Sequence, residues 1–147
     1  MWIETTNVQV LLSALEIGLT TTALFNRTNQ ALAEKWNSVG RFTPLHVDDA
    51  GVIHNDADAG GSTAIGVLCA VDCPEDVADI ARLAGVEPLV VMDSSAWQVI
   101  PAENLVAAYG ASQESRLMAV ATTARDAEAM FEALETGTDG VVLRTDD

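Results

Sequence analysis

Bases are scarce in this chain: seven lysines and arginines stand against 22 aspartates and glutamates, a formal net charge of -15 over 147 residues. Direct nucleic-acid binding needs a basic footprint to neutralise phosphates, so this balance excludes it. The same repulsion argues against anionic membrane surfaces. Lysine occurs once, as Lys35 in Ala31-Leu32-Ala33-Glu34-Lys35-Trp36, at a solvent-facing position of a helical pattern. A Schiff-base lysine needs a desolvated pocket, which makes imine chemistry in this segment a poor reading. Cysteine is nearly absent. Cys69 falls in an apolar strand and Cys73 at a helix start, with no histidine near them, so they make neither a zinc site nor a disulfide framework and read as structural thiols in a reducing compartment.

Other signatures are missing too. No P-loop, nucleophile elbow or HExxH motif occurs, and Gly60-Gly61-Ser62 precedes a strand, whereas a dinucleotide fingerprint follows one and opens a helix. His54, Asp56 and Asp58 have metal-ligand residue types, but they alternate in a loop with no second histidine, and no metal is expected. There is no charged-then-apolar leader and no apolar run long enough to cross a bilayer. A cytoplasmic protein is expected, or a plastid one if a transit segment has been removed. Acidity of this size marks a solvated surface or a saline milieu more often than a function.

What is present is a strong apolar rhythm. Hydrophobic residues make up 49% of the chain, enough for the core of one domain. Strands are predicted at 2–5, 19–25, 64–71, 89–92, 117–121 and 140–143, with a strand, turn and returning strand over 42–54. Helices are predicted between them, at 8–17, 29–39, 73–84, 101–109 and 124–135. Gly18 sits where a C-terminal cap belongs, Pro74 takes the favoured first helical position, and Thr123 with Asp126 opens the last helix. Strand–helix units of this spacing indicate a parallel α/β architecture, because parallel strands need crossovers. Two arrangements fit: an incomplete (β/α) barrel, or a doubly wound open sheet. A full barrel typically takes about 250 residues, so this chain is expected to fall short of one.

In parallel α/β folds, ligands bind where strands end and helices begin. Those positions here are Thr5 to Asn7, Asn26 to Asn29, Asp72, Asp93 to Ala96, Thr122 to Thr123, and Arg144 to Asp146. Asp93 ends a strand after Val90-Val91-Met92, a place for either a helix cap or a catalytic carboxylate. Glu103 and Asn104 lie in the first turn of the helix beyond it. They either steady that helix end or hold an amine or polyol by ionic and hydrogen bonds.

Two segments are more specific. Trp97-Gln98-Val99-Ile100-Pro101-Ala102-Glu103-Asn104-Leu105-Val106-Ala107-Ala108 resembles a segment of the archaeal-type (type II) 3-dehydroquinate synthases, and Gly137-Thr138-Asp139-Gly140-Val141-Val142-Leu143 resembles a strand of the same family. Trp2 and Ser13-Ala14-Leu15-Glu16-Ile17-Gly18 resemble its opening strand and helix. The family usually has an acid before the tryptophan; here it is Ala96, so if that acid takes part in binding, Asp93 would have to substitute or activity would fall. The resemblance implies the N-terminal portion of a larger enzyme, residues 1–147, followed by a β-rich half that carries cofactor contacts. It implies NAD as cofactor and a small-molecule substrate, 2-amino-3,7-dideoxy-D-threo-hept-6-ulosonate, deaminated oxidatively and closed to 3-dehydroquinate. Glu103 and Asp93 are then the catalytic candidates, and Asn104 and Trp97 the substrate-binding ones. A non-catalytic α/β module is the alternative from another class, and an unrelated barrel lyase is third. As an incomplete barrel, the chain alone is expected to be inactive and to self-associate through an unpaired edge at Val141 to Leu143.

Overall fold

The computed structural model describes residues 1–56, 61–94, 102–112, 114–132 and 138–147. In chain order these form β1 (Trp2–Glu4), α1 (Val8–Glu16), β2 (Thr22–Phe25), α2 (Gln30–Trp36), β3 (Thr43–Val47), β4 (Val52–Asn55), β5 (Thr63–Ala70), α3 (Pro74–Arg82), β6 (Leu89–Asp93), α4 (Ala102–Gly110), β7 (Arg116–Ala121), α5 (Ala124–Glu132) and β8 (Gly140–Arg144). The predicted elements are present, most with slightly shorter bounds. Gly18 adopts φ 70 after α1, and Thr123 Oγ1 accepts from the Asp126 N–H at 3.0 Å to cap α5. The spacing of Ala127, Met130, Phe131 and Leu134 predicts one inner face for α5; Ala127 and Met130 are buried, whereas Phe131 is 46% exposed. Gly137 and Leu134 lie outside the described residues.

The expectation of an unfinished barrel is corrected. Eight strands close in sequence order, with β8 paired in parallel to both β7 and β1. No open sheet is left, and the edge expected at Val141 to Leu143 is paired on both sides, as Ala119↔Val141 and Ile3↔Leu143 illustrate. The reason is economy of connection. The strand β4 returns antiparallel beside β3 through a short Asp48–Gly51 turn and pairs antiparallel again with β5, so neither step needs a crossover helix. Asp48 Oδ1 accepts from the Ala50 and Val52 backbone N–H groups, both at 2.9 Å, and Gly51 takes φ 82, a conformation open to glycine at little cost.

Alternation along each strand divides the core in two. One set of side chains fills the lumen: Leu24, Leu45, Ile53, Leu89, Val91, Met118, Val120 and Val142, with Trp2 and Leu68 packed against them. The other set faces the helices. Ile3, Ala23 and Phe25 meet Leu11, Ala14 and Trp36 of α1 and α2, while Val90, Met92, Leu117, Ala119 and Val141 meet α3, α4 and α5. No helix among the described residues is long and apolar enough to cross a membrane.

The lumen is tight beside β6. A Cβ on Gly66 would lie 2.4 Å from the Leu89 carbonyl oxygen and 2.7 Å from its Cβ. Gly66→Ala is therefore expected to cost about 1–3 kcal/mol by overpacking, read as a lower urea midpoint at unchanged slope. An unchanged midpoint would show that the strands separate more easily here than the packing implies.

Candidate active site

The lumen's apolar filling stops at one end because three strands carry a charge as their next inward residue. Glu4 shares the inward face of β1 with Trp2, Asp93 that of β6 with Val91, and Arg144 that of β8 with Val142. The register places Glu4 directly beside Arg144 across the closing β1–β8 pair. All three lie at the carboxyl ends of parallel strands, the face on which barrels of this kind assemble their sites.

Arg144 joins the two carboxylates. Its Nε donates to Glu4 Oε2 at 2.8 Å, and its terminal nitrogens donate to Asp93 Oδ1 at 3.1 Å and Oδ2 at 2.7 Å. Glu4 is only 9% exposed, so its charge has to be met by such partners. Burial works against the Arg144 charge, but the hydrogen bonds to Asp93 and Glu4 outweigh it and raise the guanidinium pKa further.

The loop after β2 supplies the next group. Asn26 Oδ1 accepts from the Thr28 backbone N–H at 2.9 Å and from its hydroxyl at 2.5 Å, while the Asn26 N–H donates to Asn29 Oδ1 at 2.7 Å. With its oxygen so engaged, Asn26 turns its Nδ2 toward Glu4 Oε1, 3.3 Å away. A third loop closes the rim. Asp146 Oδ1 accepts from the Thr5 hydroxyl at 2.9 Å and the Thr6 N–H at 2.6 Å, and its Oδ2 from the Thr6 hydroxyl at 3.0 Å. Asn7 caps α1 and reaches the Asp146 carbonyl at 3.0 Å. Together Glu4, Thr5, Thr6, Asn26, Thr28, Asn29, Arg144, Thr145 and Asp146 enclose a cleft of about 350 Å³.

Of the residues nominated from sequence, Asp93 is drawn into this constellation, with both oxygens taken by Arg144. Asn104 is exposed on α4, Glu103 lies in the first turn of that helix with its side chain outside the described part, and Trp97 falls outside the described residues. Glu4 lies just before the strand-end positions that the sequence marks, and Asn26 and Arg144 fall within them without standing out individually. The signal that finds them is strand phase: a charge or amide two residues beyond an inward apolar side chain. Elsewhere, His54 pairs with Asp48 at 3.0 Å and His46 with Asp56, and the two imidazoles stack at 5.2 Å across β3 and β4. Among the described residues no group of three or more histidine, cysteine, aspartate or glutamate side chains could hold a metal ion.

A closed, helix-clad barrel with an ion-paired polar cleft at the carboxyl ends of its strands defines the chain as an α/β barrel. The particular family follows from its sequence: the family model of the 3-dehydroquinate synthase II N-terminal domain matches residues 1–147, and the chain belongs to that family. It is similar to the 3-dehydroquinate synthase of Methanococcus maripaludis strain S2, 41% identical over 81 residues, covering 53% of this chain and 22% of that protein. The 3-dehydroquinate synthase of Methanocorpusculum labreanum is 28% identical over 137 residues, 93% of this chain and 36% of that protein. That of Haloarcula marismortui is 51% identical over 51 residues, 35% of this chain and 13% of that protein. The chain therefore spans well under half the length of these relatives. No solved structure matches it.

Asp146 carries a pH prediction. The Thr6 backbone N–H, then the Thr5 and Thr6 hydroxyls, hold its carboxyl below the ordinary aspartate value of 3.8. A depressed folded-state pKa contributes stability that is present above the unfolded value and lost as pH falls through the folded one. Asp146→Asn is expected to unfold at lower urea than the parent at pH 7, with the two midpoints converging below pH 3.8. A gap independent of pH would show that the carboxylate charge is not what the rim holds.

Proposed function

We propose that this barrel is the N-terminal, substrate-handling part of a larger 3-dehydroquinate synthase. On this reading the whole enzyme converts 2-amino-3,7-dideoxy-D-threo-hept-6-ulosonate to 3-dehydroquinate in aromatic amino-acid biosynthesis, by NAD-dependent oxidative deamination followed by ring closure. The observation that carries the reading is the family match over the full chain, joined to a polar cleft at the functional face of a closed barrel. Oxidising an amine-bearing carbon, releasing ammonia and closing a ring each move a proton, and each needs an acid or base within hydrogen-bond reach. Glu103 is proposed for those transfers and Asn104 and Trp97 as substrate contacts, while Asp93, with both oxygens taken by Arg144, is proposed to position that guanidinium.

The described residues do not fit NAD itself. The cleft of about 350 Å³ suits one small polar molecule, and its single cation is committed to two carboxylates instead of being free for a pyrophosphate. The glycine-rich turn into a helix that cradles dinucleotide phosphates is also missing from the described segments. Cofactor contacts are accordingly assigned to the remainder of the enzyme, and the isolated barrel is expected to be inactive. A cytoplasmic site of action suits the two free thiols.

The test is turnover of the amino heptulosonate by the intact enzyme, followed as NADH appearance and dehydroquinate formation. Glu103→Gln is expected to lower kcat by on the order of a hundredfold to ten-thousandfold, the usual worth of a positioned acid or base. An intact protein that binds the substrate without converting it would favour a non-catalytic module instead.

A further inference from the structure

The barrel mouth holds two inward carboxylates, and their surroundings divide the work between them. Asp93 meets Arg144 end-on, one oxygen to each terminal nitrogen, and is not among the residues lining the cleft. Glu4 lines the cleft. Its Oε2 receives the Arg144 Nε, and among the described residues its Oε1 receives only the longer 3.3 Å contact from Asn26. An ionised carboxylate offers about four lone-pair sites, so Glu4 retains acceptor capacity toward the cavity. The cleft also carries the Asp146 carboxylate and the hydroxyls of Thr5, Thr6 and Thr28. Its one cation is neutralised by pairing with Glu4 and Asp93. An anion entering here meets negative charge without a free partner, whereas an ammonium with adjacent hydroxyls finds acceptors throughout.

We propose that Glu4 is the residue that grips the amine of the substrate, with Asn26 as its neighbour for an adjoining hydroxyl and Arg144–Asp93 as the pair that positions it. The inference rests on the proposed synthase reading for the identity of the substrate, but not for the class of ligand, a primary ammonium carrying hydroxyl groups. It also orients the substrate. The amine-bearing C2 enters the β1–β2–β8 side of the mouth, and the C1 carboxylate on the adjacent carbon points out through the open side of the cleft. An alkylammonium stays charged at neutral pH and brings three N–H donors. Glu4 supplies the charged acceptor, and the surrounding hydroxyl oxygens can take the other donors. Asp93 acts through Arg144: it fixes the guanidinium plane, which in turn fixes Glu4 Oε2.

The experiment uses the intact protein with ¹⁵N-labelled asparagine and arginine, titrated with 2-amino-1,3-propanediol as probe and glycerol as its uncharged counterpart. The probe is expected to shift the Asn26 side-chain amide and Arg144 Nε–H signals, and glycerol at the same concentration is expected to leave them in place. In Glu4→Gln the probe should bind about ten- to a hundredfold more weakly, the loss of one charge-assisted hydrogen bond. The same factor should fall mainly on KM for the amino heptulosonate, since the ammonium is gripped before reaction. Glu4→Asp keeps the charge, so it should restore probe binding in part and guards against a misfolded Gln variant. Asp93→Asn should displace the Arg144 Nε–H signal before any probe is added. Equal probe affinity in the parent and Glu4→Gln, or shifts that bypass Asn26, would overturn the assignment. An intact protein that binds the probe through Glu4 yet makes no dehydroquinate would support this site and defeat the synthase reading. Turnover with an unaltered KM in Glu4→Gln would do the reverse.

Discussion

The mouth of this barrel depends on the guanidinium of Arg144. Closing a sheet on itself brings inward positions from distant parts of the chain to one rim, and here three of them are charged. Two carboxylates in a partly desolvated space raise the cost of keeping both ionised, and a cation between them removes it. Arginine suits the task because its fork answers two acids at once, Nε toward Glu4 and the terminal nitrogens toward Asp93. A lysine's single ammonium would lack that planar pairing. The bridge spans β8, β1 and β6, so the ionic arrangement and the closure support each other: the β1–β8 register aligns Glu4 with Arg144, and their bond holds the last strand to the first.

Closure in turn rests on β4. Replacing a crossover helix by a hairpin shortens the route from β3 to β5, and helices of seven to nine residues clothe the other crossovers. The economy has a visible consequence on the outside. Where a helix would cover β3 and β4, the outward residues include His46 and His54, stacked and each paired with an aspartate. A cavity of about 620 Å³ opens beside them, lined by Phe25, Phe42, Pro44 and residues of α2. Polar pairing thus stands in part where apolar packing would otherwise be.

Most elements were legible in the sequence because local signals agree with the global fold. Apolar runs such as Leu89 to Met92 are strands buried on both faces, and Thr123 with Asp126 caps a helix in the manner their spacing implies. Closure was not legible, since it depends on pairing between residues 140 apart, and no local pattern encodes which strand neighbours the last. Length misled for the same reason: about 250 residues is the requirement of eight full strand–helix units, not of eight strands. Within the site, Asp93 was legible as a strand-ending acid. Glu4 was hidden in a three-residue strand too short to display its alternation, and Arg144 became meaningful only once its two partners were placed.

The division of labour inside the proposed enzyme follows from charge. This barrel has a negative overall balance, and the one cation lining the cleft among the described residues is already paired with two acids. Such a surface favours an ammonium group with hydroxyls near it and repels phosphates, so a nucleotide cofactor gains little by docking its phosphates here. On the proposed reading, the substrate's amine is therefore the group this barrel holds. The groups that bring an oxidant to the amine-bearing carbon must approach from the open side of the cleft, over the rim formed by Thr6, Thr28 and Asp146. The tightest anchor of that rim is the Asp146 clamp onto the first turn of α1, which joins the end of the last strand to the loop after the first. Whatever segment meets the substrate from above meets a rim already made rigid by the barrel's own closure.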